Sequence, residues 1–116
     1  MNAISLKAVA SAFPKNVVTN EFFGATEETA KSGMFRGARE RLHLAAGETA
    51  VELITEATKK LHEQLGGESL EDIDIILTNV SLPDQPFTGC GAEVAKTLKI
   101  NPQIIYDLHN HGCVSF

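Results

Sequence analysis

The chain has 116 residues, 43% hydrophobic and 22% charged, with a formal net charge of −5. That length suits one domain or part of one, and the apolar content supports a core and argues against long disorder. The acidic balance disfavours nucleic acid as a partner, because phosphate binding draws on a clustered basic surface; no apolar run approaches the roughly 20 residues that span a bilayer, so no membrane partner is expected either. The opening Met1-Asn-Ala-Ile-Ser-Leu-Lys lacks the basic stretch and apolar run of a secretory signal, which makes the cytoplasm the expected compartment. In that reducing setting Cys90 and Cys113 are expected as free thiols, and without a C-x-x-C pair neither a zinc ribbon nor a redox motif is indicated.

In chain order, residues 3–13 read as a first strand, with Ile4, Leu6 and Val9 apolar and Pro14 ending the run. Residues 15–20 read as a turn and a short extended piece, and Thr26 to Lys31 as a short helix that Gly33 interrupts. The clearest element is a helix from about Glu48 to Leu65. Thr49 and Glu52 match a capping box; Ala50, Leu53, Ile54, Ala57, Leu61 and Leu65 recur at helical spacing; Gly66 and Gly67 stop the helix. Residues 73–80 read as a buried strand, since strands covered on both faces are near-continuous apolar runs. After a loop with Pro83 and Pro86, a second helix starts at Thr88 or Gly89, with Val94, Ala95 and Leu98 on one face and Asn101-Pro102 closing it. Residues 103–108 form a further strand. The alternation of helix and strand gives an α/β layered fold. A parallel sheet needs cover on both faces, and two strong helices are a thin supply. Residues 1–116 are therefore expected to be an incomplete folding unit, finished by a further polypeptide segment and not cooperatively folded as an isolated monomer.

Chemistry concentrates near Cys113. The stretch Tyr106-Asp-Leu-His-Asn-His-Gly-Cys runs from a strand into a Gly-Cys turn. A thiol between a strand end and a helix start sits among free N–H groups that favour thiolate, the species that attacks an acyl carbon. Gly112 leaves room for a sharp turn or a close substrate. The plain alternative is a buried cysteine acting as a small hydrophobe. Asp107, His109, His111 and Cys113 also alternate, which on a strand places four potential metal ligands on one face. Positions i and i+2 lie about 7 Å apart along a strand, so a tetrahedral site would need distortion, and no metal is expected. A Cys–His pair using His109 or His111 as base requires the turn to curl back. Arg36, Arg39 and Arg41 form a small basic cluster, either a solvated face or an anion contact.

Several segments, in order, resemble the N-terminal part of ketoacyl-acyl-carrier-protein synthase III, a thiolase-fold condensing enzyme family. They are Pro14-Lys-Asn-Val-Val-Thr-Asn-Glu, Gly37-Ala-Arg-Glu-Arg, the Glu48-Thr helix opening, the Asp72-Ile-Asp-Ile-Ile-Leu-Thr-Asn-Val strand, Phe87 at a similar spacing before Ile100, and Asp107-Leu-His-Asn-His-Gly-Cys-Val-Ser-Phe. The resemblance implies that residues 1–116 are the N-terminal part of a thiolase-like condensing-enzyme domain. It implies Cys113 as the acyl-accepting nucleophile, with coenzyme A or acyl-carrier-protein thioesters as substrates and no tightly bound cofactor. A further segment or chain would supply a His and an Asn, and a homo- or heterodimer and an acyl carrier protein are the implied partners. Phe87 either lines an acyl channel across a dimer interface or is a core phenylalanine under the proline loop. Arg36 is the candidate for a coenzyme or phosphopantetheine phosphate, while Arg39 and Arg41 are expected to serve structure. Two departures stand out. The chain has no Trp where relatives often stack one on adenine, near Lys31, which shifts weight to a carrier-protein donor. His109, Asn110 and His111 replace the small residues before the family's Cys, which suggests a specialised relative in natural-product biosynthesis. The competing functions are a non-catalytic thiolase-like subunit of a heteromeric synthase and a metal-binding module.

Overall fold

The computed structural model describes residues 4–31, 33–67, 70–81, 83–85 and 87–108. Its contacts divide the chain into two units, Phe13–Glu48 and a second that joins Met1–Ala12 to Thr49–Phe116.

The Phe13–Glu48 unit is a short antiparallel ladder with turns between its strands. Strand β1 (Asn16–Thr19) pairs with β2 (Glu40–His43), Val17 opposite Leu42 and Val18 opposite Arg41. Three 3-10 turns, Asn20–Phe23, Thr29–Lys31 and Gly33–Phe35, occupy the connection. The single short helix expected at residues 26–31 is thus a turn followed by a 3-10 piece. Thr26 and Thr29 bond to each other's backbone and hydroxyl groups there, an arrangement that competes with helix formation. Val18 is buried, but the unit is organised around a cation. The Arg41 guanidinium carbon lies 5.5 Å from the Phe23 ring centre and 5.1 Å from that of Phe35. Its Nη1 donates to Asn20 Oδ1 at 2.7 Å, and Asn20 Nδ2 donates to Ala38 O at 2.8 Å. The structural role expected of Arg41 is present. Strand β2 itself was not legible as a strand, because Glu40, Arg41 and His43 give it almost no apolar alternation.

In the second unit, helix α1 (Ala50–Gln64) begins where the capping box places it. Thr49 accepts from the Glu52 N–H at 3.1 Å, and Glu52 accepts from the Thr49 N–H at 3.0 Å. It ends at Leu65 with Gly66 in the left-handed region, where a residue with a Cβ is strained. Strand β3 (Ile75–Asn79) leads through a loop to α2 (Gly91–Leu98) and returns as β4 (Ile104–Leu108), parallel to β3 with Thr78 opposite Asp107. Val51, Cys90 and Val94 form the core cluster, with Ile54, Val80 and Leu98 packed against it. Helix α2 stops at Lys99, in the left-handed region, before Asn101-Pro102.

Two expectations need correction. Residues 4–13 form no strand, and Ile4, Leu6 and Val9 are exposed. Alternation alone does not make a strand, because its N–H and C=O groups need a neighbouring ladder, and no described residue supplies one here. The segment is tied to α1 by Lys60 Nζ, which donates to Ser11 O at 3.1 Å. Strand β3 is not buried on both faces: Thr78 is buried, whereas Ile75 and Leu77, on the alternate face, are exposed. Among the described residues no helix is long and apolar enough to cross a membrane.

Candidate functional site

Strand β4 carries the chain toward Cys113. At the end of the described part of β4, the Val80 N–H donates to Leu108 O at 3.1 Å. Asp107, just before that point, is half-buried and turns its carboxylate to the N-terminus of α2. Its Oδ1 accepts from the Gly91 N–H at 2.8 Å and also from the hydroxyl of Thr78 on β3. A carboxylate at a helix N-terminus is favoured by the peptide dipoles there, and charge assistance strengthens the bond. Gly89 and Gly91 make this approach possible. A Cβ at Gly89 would overlap the Asp107 side chain; one at Gly91 would lie 2.5 Å from Ile105 Cγ2 and 2.9 Å from Asp107 Oδ1.

Between those glycines, Cys90 is the N-cap of α2 and is 3% exposed, packed with Val51 and Val94. It is a free thiol serving as a small core residue. The loop before it is pinned by Asp84, whose carboxylate accepts from the Ala50 N–H at 3.2 Å and the Val51 N–H at 3.3 Å, a second cap on α1. Beyond the pin stands Phe87, 98% exposed and with φ of 68°, a backbone region that non-glycine residues seldom occupy. Phe87 is therefore not a core residue of this chain. Arg36 is exposed in the turn after the third 3-10 piece.

In the Phe13–Glu48 unit, an open cleft of about 500 Å³ is lined by Thr19, Glu21, Thr26, Glu27, Arg39 and Glu40 among others, but not by Arg36. The Thr19 hydroxyl bonded to Glu21, with backbone bonding at Glu21 itself, holds that carboxyl below its ordinary value.

Cys113, His109 and His111 lie outside the described residues. Of the four alternating potential metal ligands only Asp107 is described, and it is engaged by Thr78 and Gly91. Reading the sequence for ligands and nucleophiles missed the joint that Asp107 makes and the cap that Asp84 makes. The available signals were a hydroxyl residue inside the apolar run of β3 and the Gly89-Cys90-Gly91 pattern opposite it.

No family model matches the chain. The beta-ketoacyl-[acyl-carrier-protein] synthase III of Erythrobacter litoralis is 32% identical over 106 residues, covering 90% of this chain and 33% of that protein. The protein of the same name from Brucella anthropi is 30% identical over 105 residues, covering 89% and 32%. The chain thus spans about a third of the length of the curated relatives it matches. The crystal structure of a synthase III of the same kind from Thermus thermophilus superposes with a TM-score of 0.70 at 26% identity, covering 87% of this chain and 32% of that one. In sequence and in fold alike, the chain resembles the N-terminal part of beta-ketoacyl-[acyl-carrier-protein] synthase III and has the α/β fold of that part of a thiolase-like enzyme.

Proposed function

We propose that this chain is the N-terminal part of an acyl-transferring or condensing enzyme of the ketoacyl synthase III type, with Cys113 as acyl carrier. The observation that carries the reading is the likeness to synthases of that name over 90% of the chain. A second observation narrows the thiol: Cys90 is buried in the core beside Val51 and Val94, where a thioester cannot reach it without local unfolding. In the reaction, the Cys113 thiolate attacks the carbonyl carbon of a coenzyme A or carrier-protein thioester. The new carbon–sulfur bond forms, the donor's carbon–sulfur bond breaks, and the donor leaves as a thiol after taking a proton. N–H donors at the turn stabilise the oxyanion between those steps. A second substrate, such as a carbanion formed by decarboxylation of a malonyl thioester, then takes the acyl group and releases the Cys113 thiolate. A His and an Asn from a further segment assist that half. Phe87 serves the acyl channel at a dimer interface, its full exposure in one chain suiting a residue that is covered by another. Arg36 meets a phosphate of the donor, a role its exposure allows. The cytoplasm is the setting, and fatty-acid-like or natural-product biosynthesis the context.

The test is acylation of the full-length protein by a panel of acyl thioesters, with the adduct mapped by peptide mass spectrometry. The adduct is expected on Cys113, to be lost with turnover in Cys113→Ser and kept in Cys90→Ser. Full turnover in Cys113→Ala with any donor that the wild type uses rejects the nucleophile and leaves the structural-subunit function standing.

A further inference from the structure

We infer that Asp84 is a positioning residue for Phe87: its carboxylate closes one end of a clasp on α1 that holds the loop bearing Phe87 and presents the ring outward. The inference rests on the reading of Phe87 as a wall of the acyl channel. Phe87 is anomalous twice over. Its ring is 98% exposed, so it gains nothing from burial in this chain, and its φ of 68° is disfavoured for a residue with a Cβ. Such a backbone persists only where its surroundings over-determine it. A ring so exposed supplies no packing, so the constraint comes along the chain from both sides. On one side Asp84 accepts from the Ala50 N–H through Oδ1 at 3.2 Å and from the Val51 N–H through Oδ2 at 3.3 Å. On the other side Cys90, 3% exposed, belongs to the same core cluster as the Val51 side chain. Val51 thus receives both ends of the loop, one on its backbone and one on its side chain. Phe87 stands three residues from each anchor, about 11 Å at full extension, so movement at either end is felt at the ring. Of the two ends, Cys90 is fixed by the core, while Asp84 is itself exposed and held by its two hydrogen bonds. The Asp84 end is therefore the one whose release frees Phe87.

An apolar pocket with fixed walls separates substrates that differ by one methylene by roughly 10–200-fold. A wall that moves loses part of that discrimination. Releasing Asp84 should therefore change the choice between short and long acyl chains. A weakened helix start with the loop still clasped lowers the amount of folded enzyme and slows every donor alike. The ratio of two donors thus separates positioning from stability.

The experiment uses the full-length protein and measures the octanoyl-to-acetyl ratio of kcat/KM with the N-acetylcysteamine thioesters. Phe87→Ala sets the scale and is expected to move the ratio by about tenfold. Asp84→Ala is expected to move it at least about threefold in the same direction. Thr49→Ala weakens the same helix start through a different donor, the Glu52 N–H, and leaves the loop clasped, so its ratio should stay within about twofold of wild type. Asp84→Asn keeps one oxygen acceptor of two and should fall between wild type and Asp84→Ala. A wild-type ratio in Asp84→Ala beside a shifted one in Phe87→Ala overturns the inference, as does an equal shift in Thr49→Ala. If Asp84→Ala does not fold, Asp84→Asn decides by the same comparison. A second readout needs no turnover: Phe87 is replaced by para-trifluoromethylphenylalanine and followed by fluorine NMR. A resonance shared by the wild type and Thr49→Ala that shifts or splits in Asp84→Ala supports the clasp, and one spectrum in all three overturns it. If Phe87→Ala leaves the ratio unchanged, or the wild type uses neither thioester, the reading of Phe87 as a channel wall falls, while the fluorine spectra still decide whether Asp84 positions it.

Discussion

The two units of the chain are held by different physics. The unit with α1, β3, α2 and β4 closes an apolar cluster of Val51, Cys90 and Val94, and carboxylates complete it at the helix starts, Asp84 on α1 and Asp107 on α2. The Phe13–Glu48 unit buries Val18 in its ladder and otherwise relies on the Arg41 guanidinium over two phenylalanines, with Asn20 linking Arg41 to the backbone at Ala38. Apolar burial is non-directional and proportional to area, so a few interior substitutions should govern the unit that holds α1 and α2. A polar and aromatic scaffold is directional, and each partner accounts for a smaller share.

The largest effect is expected where the first kind of cohesion is attacked directly. Val94→Asp places an unpaired carboxylate in the core beside Val51 and Cys90. Its cost, at least about 3 kcal/mol, is comparable to a large part of a domain's stability. In the full-length protein, loss of cooperative urea unfolding or a greatly lowered midpoint is expected. An unchanged midpoint would mean that the cluster is not what holds this unit.

A smaller effect is expected at the start of α1, where two caps act on one helix end. Thr49→Ala removes the capping-box acceptor, and Asp84→Ala removes the carboxylate on the Ala50 and Val51 N–H groups. Each should cost about 1 kcal/mol by urea unfolding. Because the caps serve neighbouring donors of one helix start, the double variant should depart from the sum of the singles by about 0.5 kcal/mol or more. Strict additivity would show that the Asp84 contact is not coupled to the capping box. Asp84→Ala also frees the loop that bears Phe87, so slower acylation than in Thr49→Ala, which weakens the same helix start by a similar amount, would assign the difference to the pin.

The same division decides how much of the molecule could be read from its sequence. Helix α1, with its Thr49/Glu52 box and Gly66 stop, and the β3–α2–β4 succession stand out because apolar periodicity and punctuation agree. Strand β2 does not, since its inward contact is made by an arginine and its neighbours are charged or polar. The apolar run at residues 4–13 misled for the converse reason: periodicity reports a face that could be covered, while a strand requires a neighbour to pair with. At the candidate site, Cys113 and Asp107 were singled out by residue type. The partners of Asp107 were not, because both are remote in sequence: Thr78 meets it through the parallel register of β3 with β4, and Gly91 through the start of α2. Likewise, the tie of Asp84 to α1 joins a loop to a helix start more than 30 positions away, beyond any local pattern.

The smallest expected effect probes the directional kind of cohesion in the Phe13–Glu48 unit. Arg41→Lys keeps the positive charge but loses the planar group that lies over Phe23 and Phe35 while donating to Asn20. If charge alone held the unit, the substitution would be neutral. If the planar cation is what the two rings and the amide fit, it should cost about 0.5–1 kcal/mol. The cleaner measurement is a double-mutant cycle of Arg41→Lys with Phe35→Leu, followed by urea unfolding of the full-length protein. Phe35→Leu retains apolar bulk but removes the ring face, so the coupling free energy isolates the contact from general packing. A coupling of about 0.5 kcal/mol is expected, small beside the core substitution because the ring and the guanidinium both stay in partial contact with water. A coupling indistinguishable from zero, with Arg41→Lys still destabilising, would move the weight of Arg41 onto its bond with Asn20. The unit would then be organised by a hydrogen-bonded amide rather than by an aromatic pair.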